Sequence, residues 1–307
     1  MNKNIISIIF LCSCLNVYGM QEDVGGSGSQ VYINQFSAEN INIPDEKGIT
    51  PLCRCLKEGN SEELQRLLGA GADPNLKSNG EAPLHLACEQ FCLCKNAVRI
   101  LLEAGAKPDV LNENLLSYYY GYAPLHIAVE TGNCKEIEEL LNAGANPNIL
   151  IDKQIRNNPR ILGHDYFSFD DFDGCTPLHI LAAHTYCYAA DLCSEWDYGS
   201  TGYVINVFIN KGADKNAKVT KPGAYYYGFT PLRFTMFDFI WPWQVNNMAI
   251  AAKTLIRNGA TVPEIFVERL SKILFSRYKT FEISERQIDK TEATAEDIAF
   301  LENFKNK

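Results

Sequence analysis

An all-α solenoid of stacked helix-turn-helix units is the fold class that this 307-residue sequence predicts, and three observations predict it. An opening recurs five times, as Thr50-Pro51-Leu52, Ala82-Pro83-Leu84-His85, Ala123-Pro124-Leu125-His126, Thr176-Pro177-Leu178-His179 and Thr230-Pro231-Leu232. A closing pair recurs with it, at Gly71-Ala72, Gly105-Ala106, Gly144-Ala145, Gly212-Ala213 and Gly259-Ala260. Between them an apolar triplet keeps its distance from the closing glycine: Leu64/Leu67/Leu68, Val98/Leu101/Leu102, Ile137/Leu140/Leu141, Ile205/Phe208/Ile209 and Ala252/Leu255/Ile256. Spacing of i, i+3, i+4 places each triplet on one helix face.

Each part of the block has a mechanical reason. A threonine hydroxyl caps a free helix N–H, and the proline after it has no N–H to leave unsatisfied. Gly59 and Gly132 fall where the first helix must turn into the second. The glycine of each closing pair suits the left-handed residue that ends a helix. Asp73-Pro74-Asn75 and Asn146-Pro147-Asn148 then begin tight turns. One such helix pair cannot bury its apolar face alone, so neighbours must stack.

The blocks resemble ankyrin repeats, whose pattern is a T-P-L-H-x-A opening with a period of about 33 residues. The resemblance covers positions 48–263 and is sharpest in repeats one and three. Departures are local: Cys53 and Arg233 replace the motif histidine, Cys55 and Leu181 replace its alanine, and Ala82 and Ala123 replace threonine. The resemblance implies five repeats near 48–75, 80–109, 121–148, 174–216 and 228–263, within a domain spanning 41–263. It further implies extended β-hairpin-like finger loops along one edge, a concave helix face, and a protein partner. His85, His126 and His179 would tie neighbouring repeats through hydrogen bonds.

The ends read differently. Lys3, the apolar stretch from Ile5 to Leu15 and Val17-Tyr18-Gly19 predict a signal peptide over 1–19, cleaved before Met20. An uncleaved anchor, or a lipidated Cys14 in Leu11-Cys12-Ser13-Cys14, is the rival. The expected localisation is secretion or export, to a periplasmic or host-cell destination. Residues 20–40, with Gly25-Gly26-Ser27-Gly28-Ser29, read as a flexible linker. Residues 264–307 read as a C-terminal helical cap, from Ile265, Phe266, Leu270, Ile273 and Leu274, then Ile298, Phe300, Leu301 and Phe304.

Three fingers are lengthened and aromatic. The second ends Tyr118-Tyr119-Tyr120-Gly121-Tyr122, and the fourth ends Tyr225-Tyr226-Tyr227-Gly228-Phe229. The third and longest carries Tyr166, Phe167, Phe169 and Phe172 among Asp165, Asp170, Asp171 and Asp173. Tyrosine offers large area at low entropic cost with a polar tip. Partner contact is therefore expected from Tyr118, Tyr119, Tyr120, Tyr122, Tyr166, Phe167, Phe169, Tyr225, Tyr226 and Tyr227. Mutual packing that holds the long fingers in place is the competing reading, and the two divide the residues evenly. The acidic surroundings of the third finger point to a partner with basic groups.

A net charge of −9 and scattered Lys and Arg argue against nucleic acid as a partner. Eleven cysteines at irregular spacing do not form a disulfide framework. Cys53/Cys55 and Cys92/Cys94 lie two apart, a spacing that points side chains in different directions on a helix. The repeat-four insertion, with His179, His184, Cys187, Asp191 and Cys193, is the alternative site, for a metal or for hydrolysis. No phosphate loop, nucleophile elbow or paired-carboxylate motif is present. The expected function is thus an exported, effector-like, monomeric interaction module. It carries no cofactor or catalytic centre, and makes no stable membrane insertion after cleavage.

Overall fold

At Thr50 the chain enters its first helix with the hydroxyl accepting from the Cys53 amide at 3.2 Å and Pro51 in the first turn. The computed structural model describes residues 40–89, 94–153, 172–183, 200–236, 244–271 and 288–289, all in one compact unit, Ala38–Lys307. Ten α-helices are described, in five pairs. They are α1 (Pro51–Glu58) with α2 (Ser61–Gly69), α3 (Pro83–Cys88) with α4 (Ala97–Glu103), and α5 (Pro124–Thr131) with α6 (Cys134–Asn142). The remaining pairs are α7 (Pro177–Ala183) with α8 (Ser200–Asn210), and α9 (Pro231–Phe234) with α10 (Gln244–Arg257). Gly59 and Gly132 end α1 and α5 in the left-handed region, as the turn between paired helices requires. Asn60 and Asn133, which the motif reading overlooked, then cap the second helix through the amides of Glu63 and Glu136.

The first helices pack on one another in order, α1 on α3 on α5 on α7 on α9, and the second helices do the same from α2 to α10. Within each triplet the first two residues are fully buried: Leu64 and Leu67, Val98 and Leu101, Ile137 and Leu140, Ile205 and Phe208, Ala252 and Leu255. Truncating any of these leucines to alanine is expected to cost about 2–5 kcal/mol. Each closing unit repeats one bond, from the alanine amide after the glycine to a carbonyl of the triplet. The pairs are Ala72 to Leu67, Ala106 to Leu101, Ala145 to Leu140, Ala213 to Phe208 and Ala260 to Leu255.

Neighbouring pairs are joined by two ladders. In one, Nδ1 of His85, His126 and His179 accepts from the backbone amide of Ala82, Ala123 and Thr176. That fixes the tautomer, so Nε2–H donates onward to the carbonyls of Val110, Ile149 and Ala217 at 2.8, 3.1 and 3.0 Å. The amides of His85 and His126, which a capping hydroxyl would otherwise serve, donate to the carbonyls of Ala82 and Ala123, so alanine can stand in for threonine. In the other ladder, carboxamides bracket the next closing turn. Asn75 donates to the Gly105 carbonyl and accepts from the Lys107 amide, and Asn148 does the same to Gly212 and Asp214. Asn42 treats Gly71 and Asp73 identically.

After α10 the chain forms a two-residue strand, β1 (Val262–Pro263), paired in parallel with β2 (Ile288–Asp289). A 3-10 turn, Glu264–Phe266, follows β1, and Phe266 and Leu270 are buried. Several expectations lie outside the described residues. They are the signal peptide with Cys14, the linker, the helix at 294–304, Tyr166, Phe167 and Phe169, and His184, Cys187, Asp191 and Cys193.

Candidate protein-binding surface

Each connecting loop is closed at its stem by two backbone hydrogen bonds. In finger one they link Ser78 and Glu81 reciprocally, at 2.8 and 2.9 Å. In finger two the Asn112 amide donates to Tyr122 and the Gly121 amide to Asn112, both at 2.8 Å. Finger three repeats this with Ile151, Cys175 and Gly174, and finger four with Val219, Phe229 and Gly228. In fingers one, two and four the residues between the stem partners form turns, and the bridge Ser78–Glu81 is the one isolated pairing among the described residues. In these three fingers the hairpin-like ladders expected here are replaced by a short clasp around turns.

The clasps also touch sideways. The Glu113 amide donates to the Gly80 carbonyl at 2.9 Å, and the Asp152 amide to Gly121 at 3.0 Å. Lys221 Nζ bridges Asp152 at 2.6 Å and Asp173 at 2.7 Å, joining finger four to finger three. Gly121 has φ +79, and a Cβ there would stand 2.5 Å from the Asp152 carbonyl oxygen, so only glycine fits this crossing.

Fingers two and four are one structure made twice. Residues 112–122 and 219–229 correspond one to one, and five backbone bonds recur. Besides the two clasp bonds, Ser117 donates to Asn114 as Ala224 does to Lys221, Tyr120 to Ser117 as Tyr227 to Ala224, and Tyr122 to Tyr119 as Phe229 to Tyr226. The rings recur too. Tyr118 meets Tyr119 at 5.0 Å and 84°, and Tyr225 meets Tyr226 at 4.9 Å and 88°. Tyr119 meets Tyr122 at 5.7 Å, and Tyr226 meets Phe229 at 5.5 Å.

This plan sorts the tyrosines by position. Tyr122 is 1% exposed and lies against His126, and Tyr226 is 4% exposed among Phe172, Phe229 and Phe234. Both were expected at a partner contact, and both instead anchor their fingers from inside. Tyr119 and Tyr120 are half-buried. Tyr118, Tyr225 and Tyr227 are 52%, 67% and 49% exposed, and Leu115 and Leu116 of finger two are exposed beside them. Phe172 and Asp173, from the acidic aromatic finger, are buried: Phe172 stacks on Tyr226, and Asp173 accepts from Lys221 and the Lys153 amide.

Cations already lie on the inner rings. Lys153 Nζ is 5.4 Å from the Tyr122 centroid, and the guanidinium carbon of buried Arg233 is 3.8 Å from that of Phe229. Burial, then Asp152 and Glu113, raise the Tyr120 phenol above its usual range, with Lys221 opposing. Burial lowers His85 to about 4, His126 to about 3 and His179 to about 4, which keeps the motif imidazoles neutral. Cys53 and Cys55 are buried thiols whose ionisation burial also disfavours. Among the described residues no group of three or more His, Cys, Asp or Glu is placed to hold a metal ion. Among them, too, no helix is long and apolar enough to cross a membrane. Glu81, Asn112, Lys153 and Lys221 were missed because no local pattern marks a residue whose partner lies tens of positions away.

Helix pairs stacked in two layers, joined by a motif histidine and carrying clasped loops along one edge, define an ankyrin-type repeat protein. Family comparison agrees: residues 27–112 match the model for ankyrin repeats in three copies, and 120–152 match that for a single ankyrin repeat. The chain therefore carries multiple ankyrin repeats, matched by these models within residues 27–152. It is similar to human NF-kappa-B inhibitor alpha, 35% identical over 109 residues, which is 35% of this chain and 34% of that protein. It is also similar to the ankyrin repeat protein nuc-2 of Neurospora crassa, 31% identical over 149 residues, covering 39% of this chain and 14% of that one. Human ankyrin repeat and SOCS box protein 16 is 32% identical over 117 residues, covering 37% and 24%. The chain thus spans about a third or less of the length of these relatives.

Proposed function

We propose that the protein is an exported, non-catalytic, monomeric interaction module that binds a protein partner along its finger edge and concave helix face. All five helix pairs are repeats of one stack in this reading. Ankyrin-repeat proteins generally act as protein-interaction modules, which supplies the class. The observation that carries the reading is the duplicated finger, whose inner rings (half-buried Tyr119 and buried Tyr122 in one copy, buried Tyr226 and Phe229 in the other) support Tyr118 in the first and Tyr225 and Tyr227 in the second at the surface. Exposed tyrosine held by a rigid support is favoured at recognition surfaces because little entropy is lost on contact.

Affinity capture with the full chain, beside a variant carrying Tyr118→Ser, Tyr225→Ser and Tyr227→Ser, tests the binding face. Capture lost with an unchanged melting temperature supports it, and equal capture by both chains removes it. Export is tested by intact mass of the chain recovered from its source: cleavage before Met20 is expected, and an unprocessed or lipid-bearing terminus would replace that reading.

A further inference from the structure

Repeat four departs from the closing pattern in its side chains and keeps it in its backbone. The residue before the closing glycine is alanine in repeats one to three (Ala70, Ala104, Ala143) and Lys211 in repeat four. Three places after that glycine the first three repeats have proline (Pro74, Pro108, Pro147) and repeat four has Lys215. Lys218 follows where repeats two and three have Leu111 and Leu150. The turn is nevertheless the same. Asp214 accepts from the Asn216 amide at 2.8 Å, as Asp73 does from that of Asn75, and Asn148 brackets it as Asn75 brackets the turn of repeat two. Alanine and proline serve that geometry three times over, so the fold does not ask for the lysines. Departures from a working local pattern concentrate where a molecule does something else.

The three lysines share the connection between α8 and α9. Lys211 and Lys218 are exposed, and half-buried Lys215 lies along the next closing turn, its Cε 3.5 Å from where a Cβ on Gly259 would stand. Among the described residues none of the three is in an ion pair, whereas Lys77 is paired with Glu113 and Lys221 with Asp152 and Asp173. Residues 200–260 hold seven Lys and Arg against two Asp, a charge of +5, while the remainder of the chain carries −14. The same connection presents the exposed Tyr225 and Tyr227. An ammonium group and a phenol hydroxyl both donate to carboxylates. A short acidic segment meets only this local field, while a long polyanion would also meet the negative remainder.

We propose that the connection from Lys211 to Tyr227 docks an acidic segment of the protein partner, with carboxylates at Lys211, Lys215 and Lys218 and further contact at Tyr225 and Tyr227. The inference rests on the reading of the finger edge as the binding face and names the charge of what it receives. The sign is opposite to the one the acidic third finger suggests; of its aspartates, Asp173 is taken up by Lys221 and the Lys153 amide.

A labelled peptide of sequence Gly-Asp-Glu-Gly-Asp-Glu-Gly, beside the version with Asn and Gln in place of the acids, tests it by fluorescence anisotropy with the full chain. The acidic peptide is expected to bind about tenfold more tightly than the neutral one, and to weaken as salt is raised. Lys211→Gln, Lys215→Gln and Lys218→Gln together should erase that preference without changing the melting temperature, and arginine at the same three places should keep it. Lys47→Gln, Lys95→Gln and Lys107→Gln remove equal charge from exposed places elsewhere and should leave the preference intact. Its loss in both glutamine variants would show net charge alone at work and overturn the proposal. So would an acidic peptide bound no better than the neutral one, or an oligothymidylate of equal charge bound as tightly, which would make the surface a general polyanion site. A doubled mass in light scattering at low salt, abolished by the Lys211, Lys215 and Lys218 variant, would put a second copy there instead. If capture of a protein partner is lost with the tyrosine variant while no acidic preference exists, the binding face stands and this inference falls.

Discussion

Finger two and finger four share a backbone and are held by opposite chemistries. Behind finger two stands Glu81, a buried carboxylate that accepts from Asn112 Nδ2 at 2.7 Å and Ser117 Oγ at 3.4 Å. At the corresponding places finger four has Val219 and Ala224, and its anchor is the packing of Tyr226 on Phe172, Phe229 and Phe234. The clasp and the repeated turn bonds therefore set the shape of a finger, and the side chains behind it need only fill the space or satisfy the polar groups there. What the two copies keep in common is the Tyr-Tyr-Tyr-Gly run, which turns its first tyrosine outward in both.

The comparison can be broken most forcefully at its inner rings. Tyr226→Ala should cost about 3–5 kcal/mol, as for a buried aromatic lost from a core. Tyr119→Ala, at the matching but half-buried place, should cost about 1 kcal/mol. Equal shifts in chemical denaturation would mean that the two fingers are anchored alike. Next come the clasp glycines. Both Gly121 and Gly228 are left-handed, but a Cβ at Gly228 would stand in open space. Gly121→Ala should cost about 3 kcal/mol, from backbone overlap added to conformation. Gly228→Ala should cost about 1 kcal/mol. Thermal melts of the pair decide it, and a milder Gly121 variant would show that the crossing with Asp152 can relax.

Acid should affect both fingers alike, since His85 donates at the entry to finger two as His179 does at finger four. The three motif histidines have folded values well below the unfolded 6.5, so their stabilisation is complete above pH 6.5 and is lost as pH falls toward 4 to 3. Burial acts with opposite sign on Glu89 and Glu136, raised to about 7 and about 8. Their contribution is complete below pH 4.5 and is lost as pH rises through 7 to 8. Between pH 6.5 and 4.5 three histidines act against two carboxyls, a net loss of about 1.4 kcal/mol per pH unit. Stability should peak near pH 6.5, and a melting temperature that climbs from pH 6.5 to 5 would contradict these assignments. The smallest effect belongs to the surface: Tyr225→Ser should move stability by less than about 0.5 kcal/mol, and a larger shift would assign that ring to packing.

The stack was legible in the sequence because its signals are local. Thr50-Pro51, Gly59, the triplets and the closing glycines each specify a cap, a turn or a face within a few residues, and the structure uses them so. The division between Tyr226 and Tyr227 was not legible, although they are adjacent in one motif. It depends on Phe172 and Phe234 arriving from other loops and helices, which spacing does not reveal. The identity of the two fingers was in plain view, in equal length and a shared Tyr-Tyr-Tyr-Gly run, and correspondence of that kind carries more than composition.

The two-bond clasp at each stem has a consequence for how such a molecule can vary. A loop pinched at its root transmits nothing of its size to the layers beneath, whether it spans the two residues between Ser78 and Glu81 or the nine between Asn112 and Tyr122. New sequence placed beyond the pinch would alter what the edge touches and leave the helices in register, so recognition can be rewritten here without renegotiating the fold.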